Sequence, residues 1–228
     1  HLARKLLLKL SEMGVPAGSE FLDLISPQYV SDLISWGAIG ARTTESQGHR
    51  ELSSGLSCPV GFKNGTDGRL QIAIDAMRSA SHPHSFLSVT KEGHSAIFST
   101  SGNEYTHVIL RGGSRPNYDR ESVNEAAEQL RDSGLNDSVM VDFSHANSQK
   151  KFKKQMDVCV DIAHQIKTGQ ESIFGVMIES HLVEGRQDIQ PGKELVYGQS
   201  ITDACVGMED SEKMLRILAD AVRHSREK

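Results

Sequence analysis

Six short apolar runs recur along this chain, and each ends at, or carries, a residue that can bind an anion or a metal. Five runs end at a basic residue, a histidine or a carboxylate, while the sixth, residues 20–24, carries Glu20 and Asp23. Runs this short are typical of strands buried on both faces, and amphipathic segments separate most of them. Parallel strands with polar side chains at their carboxyl ends are how a (β/α) barrel builds a site. The five end residues are Arg42, Lys63, Arg111, His145 and Glu179.

Length and composition fit one domain, predicted over residues 1–228. The net charge of −5 argues against a nucleic-acid binder, which normally shows a basic stripe. No apolar stretch approaches the roughly 20 residues that a membrane span needs. The three cysteines lack C-x-x-C spacing, which favours a reducing cytoplasm.

The order of predicted elements favours the α/β class and a (β/α)8 TIM barrel that is incomplete. Six barrel strands are visible where a closed barrel needs eight, so we interpret them as strands 3–8. The segment 84–106 breaks the alternation, because two strand-like runs flank the turn Lys91-Glu92-Gly93. It is predicted to be an inserted β-hairpin. Helices are predicted over 149–167 and 209–226, with a long polar loop over 184–200.

His145, Glu179 and Asp203 are the candidate metal ligands. An imidazole and two carboxylates form a usual ligand set for Mn²⁺, Fe²⁺ or Zn²⁺. Glu179 directly follows a buried strand, where an unpaired carboxylate would cost several kcal/mol. The sequence therefore predicts a metal or another cation beside Glu179, or a strand end that is open to water.

Arg42, Lys63 and Arg111 form the candidate anion site. Guanidinium groups bind phosphate through two parallel hydrogen bonds, and lysine adds a point charge. A single basic strand end could equally be a salt bridge to a neighbour. Three on consecutive barrel strands favour a phosphorylated, anionic substrate.

Other polar residues near these positions are given a structural interpretation. His82 and His84 flank a proline in a predicted surface loop. His181 follows Glu179 by two residues, and Cys205 follows Asp203 by two, so either could be a spare ligand. Lone histidines and buried thiols are more often structural.

These motifs resemble the type I 3-deoxy-D-arabino-heptulosonate 7-phosphate (DAHP) synthases, and the resemblance covers nearly the whole chain. The hairpin resembles the feedback-regulated subfamily. The segments that carry the resemblance are Gly40-Ala-Arg-Thr-Thr-Glu-Ser-Gln, Pro59-Val-Gly-Phe-Lys-Asn-Gly-Thr-Asp-Gly, Leu110-Arg-Gly-Gly, Asp142-Phe-Ser-His-Ala-Asn-Ser, Ile178-Glu-Ser-His-Leu-Val-Glu-Gly and Ser200-Ile-Thr-Asp-Ala-Cys.

The resemblance implies an enzyme of the shikimate pathway of aromatic amino-acid biosynthesis. Phosphoenolpyruvate would condense with erythrose 4-phosphate, with a divalent metal (Mn, Fe, Co or Zn) as cofactor. The resemblance assigns His145, Glu179 and Asp203 as ligands of that metal. The implied catalytic residues are Lys63, His145 and Asp203. The implied phosphoenolpyruvate-binding residues are Glu20, Ala41, Arg42, Lys63 and Arg111.

The resemblance also implies an effector site for an aromatic amino acid, formed in part by the hairpin. Ser57, Phe86 and Ser88 match its lining positions, although they could simply pack the hairpin. A homo-oligomer, either a dimer or a tetramer, and a cytoplasmic location are expected with it. No nucleic-acid or membrane partner is expected.

Two family features are missing from the chain, which resembles the C-terminal two-thirds of such an enzyme. They are a metal-binding cysteine on the first barrel strand and a Lys-Pro-Arg-Thr motif after the second. The chain alone is therefore expected to be inactive. Two alternatives stay open: a truncated, non-catalytic partner or regulatory chain, and a related metal-dependent sugar-acid synthase.

Overall fold

A computed structural model gives the fold and describes residues 1–227, so Lys228, the last residue of the predicted domain, lies outside the described part. The chain divides into two compact units, His1–Ile109 and Leu110 onwards. Both units combine parallel strands with helices, which confirms the α/β class. The single domain over 1–228 and the numbering of its strands as barrel strands 3–8 stay predictions.

The first unit contains four parallel strands, and β1 pairs with β2, β2 with β3, and β3 with β6. The middle strands are buried on both faces, as their unbroken apolar runs predict. Helix α4 buries Ile74 and Met77 on one side. The elements are α1 (Leu2–Glu12), β1 (Gly18–Glu20), α2 (Pro27–Val30), β2 (Trp36–Ile39), α3 (Gln47–Ser54), β3 (Val60–Lys63), α4 (Gln71–Ala80), β4 (Ser85–Val89), β5 (Ser95–Ser99) and β6 (Thr106–Leu110).

The predicted hairpin is present. Strands β4 and β5 pair in antiparallel register, with Phe86 opposite Phe98 and Leu87 opposite Ile97. The two phenylalanine rings stack with their centroids 6.3 Å apart. Leu87 and Ile97 point to the other face and are 77% and 74% exposed. The hairpin therefore has one face that packs and one that meets solvent.

A buried histidine lies across the central strand β3 of this unit. Trp36 on β2 donates from Nε1 to Nε2 of His107 on β6 at 3.3 Å, and the two rings stack. Gly61 on β3 lies between them, and a Cβ there would stand 2.7 Å from His107 Nε2. Only glycine leaves room for this contact. Burial lowers the pKa of His107 to about 4.

The second unit contains the parallel pair β7 and β8, with helices α6 and α7 packed against each other. The helix predicted over 149–167 is shorter, because residues Phe152–Lys154 form a 3₁₀ turn before α6. Gln149 and Lys150 have left-handed backbone angles, which a helix cannot contain. The elements are α5 (Arg120–Asp132), β7 (Val139–Asp142), α6 (Gln155–Lys167), β8 (Ile173–Met177), β9 (Val183–Arg186), β10 (Gln199–Ser200) and α7 (Met208–Arg226).

The segment 184–200, predicted to be a loop, is bounded by two short strands, so that prediction was wrong at both ends. Strands β9 and β10 pair in parallel with an irregular register. Both are polar and lack the alternation that marks a strand, so nothing local in the sequence indicates them. No helix within residues 1–227 combines the length and apolar character that a membrane crossing requires.

Candidate active site

The structure brings the three predicted metal ligands together in the second unit. The ligand atoms of His145, Glu179 and Asp203 all lie within 4.8 Å of one another. His145 Nε2 stands 3.9 Å from Glu179 Oε1. The cluster lines a cavity of about 110 Å³ that Lys150 and Phe152 also border. One nitrogen and two carboxylates around a small cavity fit a divalent cation of the Mn, Fe, Co or Zn type.

Strand topology explains why these residues meet. His145 follows the end of β7 by three residues, and Glu179 follows the end of the neighbouring strand β8 by two. Parallel neighbours end at the same edge of a sheet, so their following residues converge. Asp203 comes from the segment between β10 and α7.

The main chain at His145 adopts a left-handed conformation, with φ of 53°. Such angles are uncommon for a residue with a side chain and need support from the surroundings. Asn147, which is buried, supplies it: its amide nitrogen donates to the carbonyl oxygens of Asp142 at 2.7 Å and Leu110 at 3.1 Å. The Lys150 N–H closes the turn on the His145 carbonyl at 2.8 Å.

A buried carboxylate faces the other ring nitrogen of His145. Asp142 is fully buried, and its Oδ2 lies 2.8 Å from His145 Nδ1. The contact is close, but the N–H is not aligned as a good hydrogen bond. A carboxylate on this side favours the proton on Nδ1 and leaves Nε2 as the candidate ligand atom.

Glu179 is neither fully buried nor unpartnered. Its side chain is 25% exposed, and Ser144 Oγ donates a hydrogen bond to Oε2. The strand end is therefore partly open to water, while a cation is still favoured there because two acidic ligands converge. No role was predicted for Asp142, Ser144 or Asn147. Their only signal was membership of the Asp142-Phe-Ser-His-Ala-Asn-Ser motif.

Four of the predicted substrate-binding residues lie at or just after strand ends of the first unit. Glu20 ends β1, and its carboxylate occupies the space that a Cβ at Gly40 would take, so a side chain at position 40 would have to displace it. Gly40 leads directly into Ala41 and the exposed Arg42. Lys63 ends β3 and is only 7% exposed, and its carbonyl accepts from Thr44 Oγ1 at 2.9 Å.

Arg111 lies in the second unit, directly after β6, and is half-buried. Its carbonyl accepts a hydrogen bond from the Ala146 N–H at 3.2 Å. The next residue, Gly112, has φ of 74°, and a Cβ there would stand 2.9 Å from the Asn147 main-chain nitrogen. The glycine therefore lets the Arg111 loop pack against the turn that carries His145.

The residues given a structural interpretation have hydrogen bonds or burial of their own. Rings of His82 and His84 bond to the carbonyls of Arg78 and Ser79 at the end of α4. His181 Nδ1 accepts from the Leu182 N–H, and His181 does not belong to the metal cluster that the described residues form. Burial raises the pKa of the Cys205 thiol, which keeps it in the poorly ligating protonated form.

A second, larger cavity lies in the first unit, beside the hairpin. It measures about 600 Å³, and its lining includes Ser57, Phe86 and Phe98. Ser88 stands on the same strand face as Phe86 but is not among the lining residues. The rest of the lining is mixed, with apolar and polar side chains that include Pro27, Gln28, Ser31, Leu52, Leu56 and Asn103.

Comparison with known proteins places this geometry in a family. The sequence profile of the DAHP synthetase I family matches residues 5–216. The Phe-sensitive phospho-2-dehydro-3-deoxyheptonate aldolase of Escherichia coli K12 is 63% identical over 226 residues, which are 99% of this chain and 65% of that protein. The aldolase of Haemophilus influenzae is 63% identical over 223 residues, 97% of this chain and 62% of that protein. The Trp-sensitive protein of Escherichia coli K12 is 55% identical over 222 residues, 97% of this chain and 64% of that protein.

A solved structure of a protein with the same name has a closely similar fold. The phospho-2-dehydro-3-deoxyheptonate aldolase of Francisella tularensis SCHU S4 superposes with a TM-score of 0.94 at 56% identity, over 98% of this chain and 65% of that chain. The chain thus spans about two-thirds, 62–65%, of the length of these relatives. The feedback-regulated type I resemblance is confirmed, and the chain belongs to the DAHP synthetase I family.

Proposed function

We propose that this chain carries part of the active site of a DAHP synthase, the first enzyme of the shikimate pathway. The reaction joins C3 of phosphoenolpyruvate to the aldehyde carbon of erythrose 4-phosphate, while water adds at C2 and inorganic phosphate leaves with C–O cleavage. The observation that carries the proposal is the cluster of His145, Glu179 and Asp203, found in a member of this family.

We propose that His145, Glu179 and Asp203 hold a divalent metal, of the Mn, Fe, Co or Zn type. When bound, such a metal would act as a Lewis acid on the aldehyde oxygen. Asp142 and Ser144 then have supporting tasks, since the Asp142 carboxylate lies 2.8 Å from the other ring nitrogen of His145 and Ser144 Oγ donates to the second carboxylate oxygen of Glu179.

Arg42, Lys63 and Arg111 are proposed to hold the charged groups of phosphoenolpyruvate, with Glu20 and the Ala41 amide beside them. Guanidinium and ammonium groups stabilise the phosphate as negative charge builds on it during departure. The burial of Lys63 supports this role, because a buried ammonium group favours an anionic partner. Lys63, His145 and Asp203 are thus the proposed catalytic residues.

The test is consumption of phosphoenolpyruvate that depends on erythrose 4-phosphate, measured on the protein in its full natural length. We expect activity that a chelator abolishes and added metal restores. No consumption with any aldehyde would contradict the proposal and favour a non-catalytic partner. A preference for arabinose 5-phosphate would instead indicate the related sugar-acid synthase. The isolated 228-residue chain, run in parallel, is expected to be inactive.

A second proposed function is the binding of an aromatic amino acid in the 600 Å³ cavity beside the hairpin. The stacked Phe86 and Phe98 and the hydroxyls near Ser57 offer an apolar wall with polar groups, which suits such a ligand. The names of the Phe-sensitive and Trp-sensitive relatives support it. Hairpin 84–106 would then be a regulatory element.

We further propose a cytoplasmic location and a homo-oligomeric state, dimer or tetramer. The location is supported by three buried cysteines, Cys58, Cys159 and Cys205, all with free thiols.

A further inference from the structure

Gln155 is a fully buried polar residue next to the candidate metal centre, and the proposed reaction gives it no task. It is the first residue of α6 and has 0% exposure. A buried amide side chain is costly unless both of its polar atoms form hydrogen bonds. The partners of those two atoms therefore indicate what the residue does.

Both polar atoms of Gln155 bond to the main chain of one residue, the candidate ligand Glu179. Gln155 Oε1 accepts from the Glu179 N–H at 2.9 Å. Gln155 Nε2 donates to the Glu179 carbonyl at 3.0 Å. The amide can satisfy this pair in only one orientation, because the N–H needs an acceptor and the carbonyl needs a donor.

This double contact lies where regular structure has ended. Strand β8 stops at Met177, so the sheet no longer fixes the main chain of Glu179 two residues later. The Val206 N–H donates to the same Glu179 carbonyl at 3.0 Å, and Ser144 Oγ holds the Glu179 carboxylate. Of Val206, Ser144 and Gln155, only Gln155 accepts a hydrogen bond from the Glu179 N–H.

We infer that Gln155 is a positioning residue, which fixes the backbone of Glu179 so that its carboxylate is held ready for a divalent metal. The inference rests on the proposed function, since it presumes that Glu179 is a ligand. Preorganised ligands need less ordering when a metal binds, and loss of such outer contacts typically lowers metal affinity about 10–100-fold.

The test is Mn²⁺ affinity, measured from the electron paramagnetic resonance signal of free Mn²⁺, on the full-length protein. Gln155→Met removes both hydrogen bonds at nearly constant volume, and its affinity should fall about 10–100-fold. The control is Gln165→Met on the same helix. Gln165 is 2% exposed, and its amide donates to the Tyr118 carbonyl and to Asp161, neither of which belongs to the cluster.

Unchanged Mn²⁺ affinity in Gln155→Met would overturn the inference, and so would equal losses in Gln155→Met and Gln165→Met. Activity gives a second readout: excess Mn²⁺ should restore Gln155→Met, because saturation compensates for weak binding. If Gln155→Met does not fold, Gln155→Asn replaces it, since its shorter amide cannot reach both Glu179 atoms. His145→Ala tests the site itself, and normal Mn²⁺ binding there would refute the metal proposal rather than the role of Gln155.

Discussion

Single residues at the candidate metal centre are held mainly through the main chain. Hydrogen bonds from the Asn147 amide to main-chain carbonyls stabilise the left-handed turn at His145. The Gln155 amide forms hydrogen bonds with the main chain of Glu179. Both ligands follow strand ends, where the sheet no longer supplies hydrogen bonds. Buried amide side chains replace the missing strand partners, which explains why these polar residues are tolerated in the interior.

His107 should make the stability of the fold depend on pH. Its folded-state pKa is about 4, whereas the ordinary value is 6.5. The unfolded chain therefore binds more protons between these two values, so stability is complete above pH 6.5 and falls as the pH drops towards 4. A shift of this size corresponds to a loss on the order of 3 kcal/mol.

The measurement is the free energy of unfolding at several pH values between 4 and 8, for the protein and for His107→Gln. Glutamine can still accept from Trp36 but does not titrate, so the variant should lose less stability on acidification. An identical pH dependence in the two proteins would show that His107 is not the group responsible.

At the scale of whole elements, alternation along the hairpin β4–β5 gives it one face that lines a cavity and one face that is exposed. Phe86 and Phe98 share one face and line the larger cavity, while Leu87 and Ile97 share the exposed face. Hairpin formation was predictable because the run-turn-run pattern is local. The cavity has no such local pattern, because its lining is drawn from separate parts of the first unit, and only the family resemblance indicated a site beside the hairpin.

Phe86→Ala should weaken the binding of phenylalanine or tryptophan. An aromatic contact contributes about 0.5–1.5 kcal/mol beyond the area it buries, so we expect an affinity loss of about tenfold. Calorimetric titration with each amino acid measures it. Leu87→Ala is the matched control, because Leu87 is the next residue and is 77% exposed on the opposite face. Similar losses in both variants would point to a general disturbance of the hairpin.

For the whole molecule, a bound metal should couple the candidate site to folding. A ligand that binds only the folded state at 100 times its Kd adds about 2.7 kcal/mol to the free energy of unfolding. We expect Mn²⁺ to raise the Tm of the full-length protein, and Glu179→Gln to lose most of that increase.

Glu209→Gln provides the comparison for that experiment. Glu209 is an exposed carboxylate on α7 that pairs with Lys213 at 2.8 Å, away from the cluster. Its variant should keep the full rise in Tm. A rise that survives in Glu179→Gln as well would place the stabilising metal elsewhere.

The sequence by itself determined the α/β class, the position of most strands and the three residues of the candidate metal cluster. Buried parallel strands produce continuous apolar runs, and five of the six runs end at a residue whose chemistry is readable. His145 and Glu179 could be grouped because neighbouring parallel strands end at one edge. Arg42, Lys63 and Arg111 could be grouped in the same way, and the family motifs supplied the proposed roles of Glu20 and Ala41.

Tertiary structure alone decided which residues support the site. Strands β9 and β10 exist because two distant polar segments pair, and neither has a local strand signal. The roles of Asn147 and Gln155 depend on hydrogen bonds, and that of Asp142 on a close contact, between residues that are separate in sequence or bent into an unusual turn. The local pattern of apolar residues predicts which face of an element is buried. The hydrogen-bond partner of a buried polar group is determined only when the chain has folded.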